Sequence, residues 1–210
     1  MSIQPPTPQR TVKLHHGLKF LLFVVNEVFF VDATHPVQGF CQGQIWSRSP
    51  VVVRTSSGRQ RVNILGTLNA LRPELFSITG GDYVNAKTVS ELIEFVRQEH
   101  PRRQLYLLLD NAKYQKCEWV RRYAKRHNVH LIYLPAYSPN LNLIERLWKF
   151  MKAEVLSGQY HATKEEFVEA IDKFIRELND GKYKEELTDL LTTNFQTLEE
   201  PTQYSPQVTA

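Results

Sequence analysis

The spacing of apolar residues changes character partway along the chain. Up to about residue 85, short apolar runs separated by polar turns predict strands at 28–31, 42–46, 51–54 and 62–68. No helical period appears in this part of the chain. The first part is therefore predicted to be mostly antiparallel strand.

Apolar residues at helical spacing begin after residue 85 and alternate with compact apolar runs. Residues 88–91 read as a capping box for a first helix, which Pro101 ends. The elements predicted after it are a strand at 105–109, a helix around 119–124, a strand at 129–134, a helix from 138–139 to about 155, a helix capped by 163–166 and a helix over 183–191.

Strand–helix–strand repeats require parallel crossovers with helices packed on the sheet. The chain is therefore predicted to be an α/β protein with a mixed sheet, antiparallel first and parallel later. This order of elements is that of the ribonuclease-H-like fold, here followed by extra C-terminal helices. We predict an N-terminal extension (1–27), one α/β domain (28–156), a helical extension (157–200) and a flexible tail (201–210).

The charge distribution is uneven, although the net charge is only +4. Residues 97–127 hold nine Lys or Arg against three acids, and residues 164–200 hold eleven acids against five bases. A basic surface beside a phosphate substrate explains the first segment, and two solvated helix faces of opposite sign explain both equally well. Two distant cysteines fit no zinc pattern and favour a reduced, cytoplasmic compartment.

Two aspartates follow apolar runs that should be buried strands. Asp32 comes after 28–31 and Asp110 after 105–109. Functional sites of α/β sheets gather at the carboxyl ends of strands, so both carboxylates are candidates for chemistry. An acid in this position also serves as a helix cap or turn former, and that reading stays open for each residue alone.

Glu145 is the third candidate. Ile144, Leu147, Trp148 and Met151 define the buried stripe of its helix, and Glu145 lies beside that stripe. The alternative is a surface ion pair with Lys149, one turn later. Trp46 and Trp148 are expected to be core residues rather than base-stacking ones.

Three carboxylates at one sheet edge would repel one another unless a cation lay between them. Asp110 and Glu145 are separated by 34 residues, enough for one helix, one strand and the start of the next helix. Oxygen ligands without His or Cys suit Mg²⁺, with Mn²⁺ as a substitute, better than zinc. Two such ions would activate the attacking oxygen and stabilise the leaving one.

Two sequence blocks carry a family resemblance. LLLDNA at 107–112 and LPAYSPNLNLIERLW at 134–148 resemble the mariner superfamily of DDE transposases, nearest to its bacterial insertion-sequence branch. The resemblance covers roughly 29–156. It implies that Asp32, Asp110 and Glu145 are the metal ligands, and the 34-residue spacing is also the family's. Ala33 and Gln115 stand where many relatives carry Glu and His.

The resemblance implies a cut-and-paste transposase domain that hydrolyses transposon-end phosphodiesters and transfers the freed 3′-hydroxyl into target DNA. DNA is then the partner, a homodimer the active form and the bacterial cytoplasm the location. Only 31 residues precede Asp32, too few for the helix-turn-helix modules of relatives, so we expect either a separate upstream helix-turn-helix product that reads the ends or a truncated copy. The basic residues expected to contact DNA are Lys113, Lys116, Arg121, Arg122, Lys125, Arg126, Lys149 and Lys152.

Two alternatives remain. One is an inactive or domesticated remnant that binds DNA or a partner without cutting. The other is a ribonuclease H or resolvase, which shares the fold and the metal chemistry but not the 138–148 block. The loop 135–142 is expected to be stiffened by its prolines, with Ser138 or Asn140 capping the next helix.

Overall fold

Five strands form one mixed sheet. The structure is a computed structural model that describes residues 27–39, 60–80, 83–134, 142–157 and 159–191. The strands are β1 (Val28–Thr34), β2 (Ile64–Asn69), β3 (Leu75–Thr79), β4 (Leu105–Leu109) and β5 (Val129–Tyr133). Their spatial order is β3-β2-β1-β4-β5. The strands predicted at 42–46 and 51–54 lie outside the described residues.

Strand directions follow the predicted division of the chain. β1 pairs antiparallel with β2, and β2 pairs antiparallel with β3. β1 pairs parallel with β4, and β4 pairs parallel with β5. The prediction of a sheet that is antiparallel first and parallel later is confirmed.

The described helices are α1 (Ala86–Glu99), α2 (Glu118–Arg126), α3 (Leu143–Leu156), α4 (Lys164–Asn179) and α5 (Lys184–Leu190). Among the described residues, no helix has the length and apolar character needed to cross a bilayer.

The sheet separates two hydrophobic cores, because successive strand residues point to opposite faces. Val28 and Phe30 of β1 face the core that contains the buried residues of α3, α4 and α5. Phe29 and Val31 face the core built with α1 and α2. Each face of the sheet is thus covered by helices, and β1 is buried on both sides.

Three element boundaries differ from the prediction. The cap of α1 is Asn85, whose side chain accepts hydrogen bonds from the backbone N–H groups of Lys87 (2.8 Å) and Thr88 (3.3 Å). Thr88 is therefore the last residue of the capping box and not its first. β1 continues past Asp32 to Thr34, since pairing with β2 persists after pairing with β4 has ended.

The third difference is the start of α3. Asn142 is extended at the N-cap position, so the helix begins at Leu143, later than predicted from the prolines. Ser138 and Asn140, the expected caps, lie outside the described residues, as does most of the loop 135–142. β3 was not predicted at all, because its residues show no clear alternation and only Leu75 is buried.

Candidate active site

Asp32 and Asp110 lie side by side where two parallel strands stop pairing. The last pair between β1 and β4 joins Val31 to Leu109, and each aspartate is the next residue in its chain. Phe30 and Leu108, two residues earlier, both face the core under α3. By the alternation of side chains, the two carboxylates emerge on that same face. Neighbouring strands are about 4.8 Å apart, so the two residues are adjacent.

Glu145 reaches this place from the helix that covers that face. It is the third residue of α3, whose buried side includes Ile144, Leu147 and Trp148. Glu145 is half-buried beside this stripe, as its helical phase predicts. The packing of α3 on the sheet thus brings the first turn of the helix to the carboxyl end of β1.

The charges of the three acids act on one another. Burial is the main cause that raises the pKa of Asp32 from 3.8 to about 7, and the charges of Asp110 and Glu145 raise it further. A hydrogen bond from the backbone of Ala33 and the charge of Lys152 act in the opposite direction. Burial also raises the pKa of Glu145, with Lys149 opposing and Asp110 adding to the rise. The site therefore holds more negative charge than its surroundings compensate.

This donor set fits a hard divalent cation. All three groups are carboxylates, the ligands that Mg²⁺ and Mn²⁺ prefer, and a cation between them would remove the repulsion. The carboxylate oxygens of Asp32, Asp110 and Glu145 do not all lie within 4.8 Å of one another. Among the described residues, the acids and histidines that meet this distance form a different trio. The separation suits a site in which each ion takes only one or two of the carboxylates, as Mg²⁺ usually does.

The tighter trio consists of Glu27, Glu74 and His100. It lies at the opposite end of the sheet, where β1 begins. The carboxylate of Glu27 accepts hydrogen bonds from Arg72 (2.7 Å) and Asn69 (3.2 Å). Because these donors already neutralise the buried acid, the trio is an ion-pair network and not the predicted metal site.

The structure supports the turn-forming role of Asp110 but not the surface ion pair of Glu145 with Lys149. Oδ1 of Asp110 accepts a hydrogen bond from the backbone N–H of Ala112 (3.2 Å), so this residue also stabilises the turn after β4. Glu145 and Lys149, both within the described part of the chain, form no ion pair shorter than 4.0 Å. The geometry of Glu145 therefore favours a role at the sheet edge over a surface pair.

Tyr114 also lies at this edge, and the sequence pattern does not indicate it. Burial raises the pKa of Tyr114 to about 12, and the charges of Asp110 and Asp32 add to the rise. The phenol is thus a neutral hydrogen-bond donor near both carboxylates. Its position four residues after Asp110, in the turn before α2, was the available signal. Gln115 beside it is fully buried, and its side chain lies close enough to the Tyr114 phenol to oppose the rise in that group's pKa.

The predicted DNA-contacting residues fall into separate groups. Lys149 and Lys152 lie on α3, close enough to lower the pKa values of Glu145 and Asp32. Lys113 and Lys116 are exposed in the turn after Asp110. The remaining four are exposed along α2, which runs away from this edge: Arg121, Arg122, Lys125 and Arg126.

These four are not equivalent. Arg122 is paired with Glu118, so its charge is partly neutralised. Lys125 and Arg126 are in the last turn of α2, near the start of β5 and the far end of the sheet. The structure therefore places Lys149 and Lys152 within electrostatic range of the carboxylates and Lys113 and Lys116 in the turn that follows Asp110, and it places the end of α2 elsewhere.

Solved structures with the same fold include complexes and the catalytic domain of the Mos1 transposase. The strand transfer complex of Mos1 matches with a TM-score of 0.59 at 17% identity, covering 95% of this chain and 66% of that one. The Mos1 catalytic domain solved with raltegravir and Mn matches with a TM-score of 0.60 at 13% identity, covering 91% of this chain and 98% of that one. This chain thus spans just under two thirds of the longer Mos1 chain, and at these identities the likeness establishes the fold.

No curated protein matches the sequence. A family model described as the DDE superfamily endonuclease matches residues 27–168, which include Asp32, Asp110 and Glu145. The ribonuclease-H-like fold predicted from the order of elements is confirmed. The resemblance carried by the two sequence blocks is confirmed at the level of the DDE superfamily, and the bacterial insertion-sequence branch stays a prediction. Because the family model matches well over half of the chain, the protein belongs to the DDE superfamily of endonucleases.

Proposed function

We propose that this chain is the catalytic domain of a cut-and-paste DNA transposase of the mariner superfamily, in its bacterial insertion-sequence branch. The observation that carries the proposal is the juxtaposition of Asp32 and Asp110 on one sheet face under α3, with Glu145 coupled to both through charge. Family membership supports it independently.

The proposed reaction has two transfers at phosphorus. In the first, a water oxygen bonds to the phosphorus at a transposon end, the P–O3′ bond breaks, and the leaving oxygen takes a proton to become a 3′-hydroxyl. In the second, that hydroxyl oxygen attacks a phosphodiester of target DNA and releases a target 3′-hydroxyl. No covalent intermediate with the protein is needed, and the number of phosphodiester bonds is conserved in the second step.

Asp32, Asp110 and Glu145 would hold two Mg²⁺ ions, or Mn²⁺ in their place. Bound ions of this kind activate the attacking oxygen and stabilise the leaving one. The protein's own part is to fix the three carboxylates at the sheet edge and to keep them ionised at working pH. Lys149 and Lys152 assist the ionisation, because their charges lower the pKa values of Glu145 and Asp32. The phenol of Tyr114 adds a neutral donor beside them.

DNA would approach over the exposed lysines around the carboxylates, chiefly Lys113, Lys116 and Lys149. Contacts from such side chains to phosphates position a duplex but carry no sequence information. We therefore propose that a helix-turn-helix module outside these 210 residues, on a separate upstream product, reads the transposon ends, and that the active complex is a homodimer acting on DNA in the bacterial cytoplasm. The Mos1 complexes with transposon ends contain a chain about half as long again as this one.

The deciding experiment is incubation of the protein with DNA carrying its own element's ends in Mg²⁺, followed by mapping of the cuts. We expect cleavage at the element boundary that leaves 3′-hydroxyls and is abolished by chelation. Asp110→Asn should slow it by roughly 10²–10⁴-fold while the protein stays folded, since metal catalysis supplies several kcal/mol. DNA binding without any cleavage by the wild type would instead identify an inactive remnant.

A further inference from the structure

A glycine in β2 lies directly opposite Asp32. Gly66 is the register partner of Asp32 across the antiparallel pair of β1 and β2. Directly paired residues share one face of a sheet, so Gly66 lies on the face that α3 covers. A side chain at this position would project into the space between the sheet and α3, next to the carboxylate.

That space is filled by Trp148. A Cβ atom built on Gly66 would be 2.5 Å from Cη2 and 2.6 Å from Cζ2 of the indole ring. Carbon atoms in contact are normally about 3.5–4.0 Å apart, so the ring occupies the place of the missing side chain. Trp148 is only 3% exposed and belongs to the core under α3, which leaves the ring no free direction in which to move.

Backbone conformation does not explain the glycine. The described glycines with positive φ are Gly39, Gly80 and Gly181, and Gly66 is not among them. Any residue could adopt its extended backbone, and glycine inside a strand is otherwise unfavourable. The close approach of the indole is therefore the physical reason that position 66 carries no side chain.

The contact bears on the active site through α3. Trp148 follows Glu145 by three residues, so the two side chains lie on neighbouring parts of the same helix face. The distance at which the indole rests on β2 sets the distance of the first turn of α3 from the sheet. It thereby sets how far Glu145 lies from Asp32 and Asp110.

We infer that Gly66 is a positioning residue for the metal-binding carboxylates, acting through Trp148. The inference rests on the proposed function. A methyl group at position 66 must push the indole, and α3 with it, away by about 1 Å to restore normal contact. A shift of that size in a catalytic group typically costs about a hundredfold in rate, and we expect cleavage to fall by about this factor in Gly66→Ala.

The test compares five proteins: wild type, Gly66→Ala, Trp148→Phe, Gly66→Ala/Trp148→Phe and Leu105→Ala. Phenylalanine lacks the two indole atoms that meet the new methyl, so the double variant should regain most of what Gly66→Ala loses. Leu105 is fully buried in the opposite core, at the start of β4 and away from the carboxylates. Its truncation lowers stability without moving α3. The readouts are Mn²⁺ affinity, from the electron paramagnetic resonance signal of the free ion, the melting temperature and cleavage of end DNA.

We expect Gly66→Ala to bind Mn²⁺ more weakly than wild type, the double variant to recover, and Leu105→Ala to keep wild-type affinity despite its lower melting temperature. Wild-type affinity in Gly66→Ala, no recovery in the double variant, or an equal loss in Leu105→Ala would each overturn the inference. If Gly66→Ala does not fold, the double variant is compared with Trp148→Phe, from which it differs only at position 66. We then expect equal Mn²⁺ affinity, and a lower affinity in the double variant would overturn the inference. A wild-type protein that binds no Mn²⁺ fails in a different way, since it contradicts the proposed function itself.

Discussion

Replacing Asp32 by asparagine should stabilise the metal-free protein at neutral and alkaline pH while removing its response to metal. Burial and the charges of Asp110 and Glu145 raise the pKa of Asp32 from 3.8 to about 7. The folded state therefore binds a proton more tightly than the unfolded state. Stability contributed by this group is present at low pH and is lost as pH rises from about 4 to about 7.

The size of the effect follows from the two pKa values. The ionisation of Asp32 favours unfolding by about 1.5–2 kcal/mol at pH 5 and by about 4 kcal/mol at pH 8, so the wild type should lose at most about 2–3 kcal/mol between them. Asparagine has nearly the same shape, keeps an oxygen that can accept the hydrogen bond from the Ala33 backbone, and does not titrate. At pH 8 its melting temperature should exceed that of the wild type by at most roughly 8–16 °C.

The assay is urea denaturation followed by circular dichroism, between pH 5 and pH 8, in chelator and then in excess Mg²⁺ or Mn²⁺. Saturating metal should narrow the difference in stability at pH 8, because about 2.7 kcal/mol of the wild type's deficit of about 4 kcal/mol is recovered at a concentration of one hundred times Kd and only the wild type has the full ligand set. Asp172→Asn, which changes a half-buried acid on α4, should keep the wild-type metal response. If the free energy of unfolding changes with pH in the same way for wild type and Asp32→Asn, the charge of Asp32 is not buried among like charges.

Two further predictions separate functional from structural roles. Glu145→Gln should abolish cleavage in Mg²⁺ with little change in melting temperature, whereas Lys149→Ala should change stability by only a few tenths of a kcal/mol and lower cleavage only as far as it weakens DNA binding and the ionisation of Glu145; equal loss of activity in both variants would favour a structural pair. Lys113→Ala/Lys116→Ala should weaken binding to random duplex and lower the slope of log affinity against log salt by about two, while Lys125→Ala/Arg126→Ala, at the far end of α2, should change the slope less. Filter-binding titrations at several salt concentrations measure both slopes. An equal decrease of the slope in the two double variants would place DNA along the whole of α2.

The parts of the site that the sequence predicts are those set by local pattern. Asp32 and Asp110 stand out because each follows a continuous apolar run, and the run itself marks a strand buried on both faces. Glu145 is predictable only in its phase on α3, since its distance from the strands depends on how the helix packs. The sequence does not single out Asn85 as the cap of α1, because Thr88 in the same capping box is equally typical of helix starts.

Contacts between distant segments account for the rest. Nothing in the neighbourhood of Gly66 in the sequence indicates that Trp148, 82 positions later, lies against it. Tyr114 is likewise unremarkable until the turn after β4 places its phenol near two carboxylates. β3 is a short edge strand whose outer positions are only half-buried, so its composition lacks the regular alternation that identifies a strand.

Proximity of acidic groups alone would have selected the wrong end of this sheet. Glu27, Glu74 and His100 are closer together than Asp32, Asp110 and Glu145, yet Arg72 and Asn69 donate directly to Glu27 and Arg103 lies 3.9 Å from it. A buried acid with such partners is already satisfied, and a metal ion would have to displace them. At the other end, Asp32 is half-buried beside two more acids, and Lys152 is the cation whose charge acts on it. The compensation of charge, and not the distance between ligand atoms, therefore distinguishes a structural ion-pair network from a site that requires a cation to function.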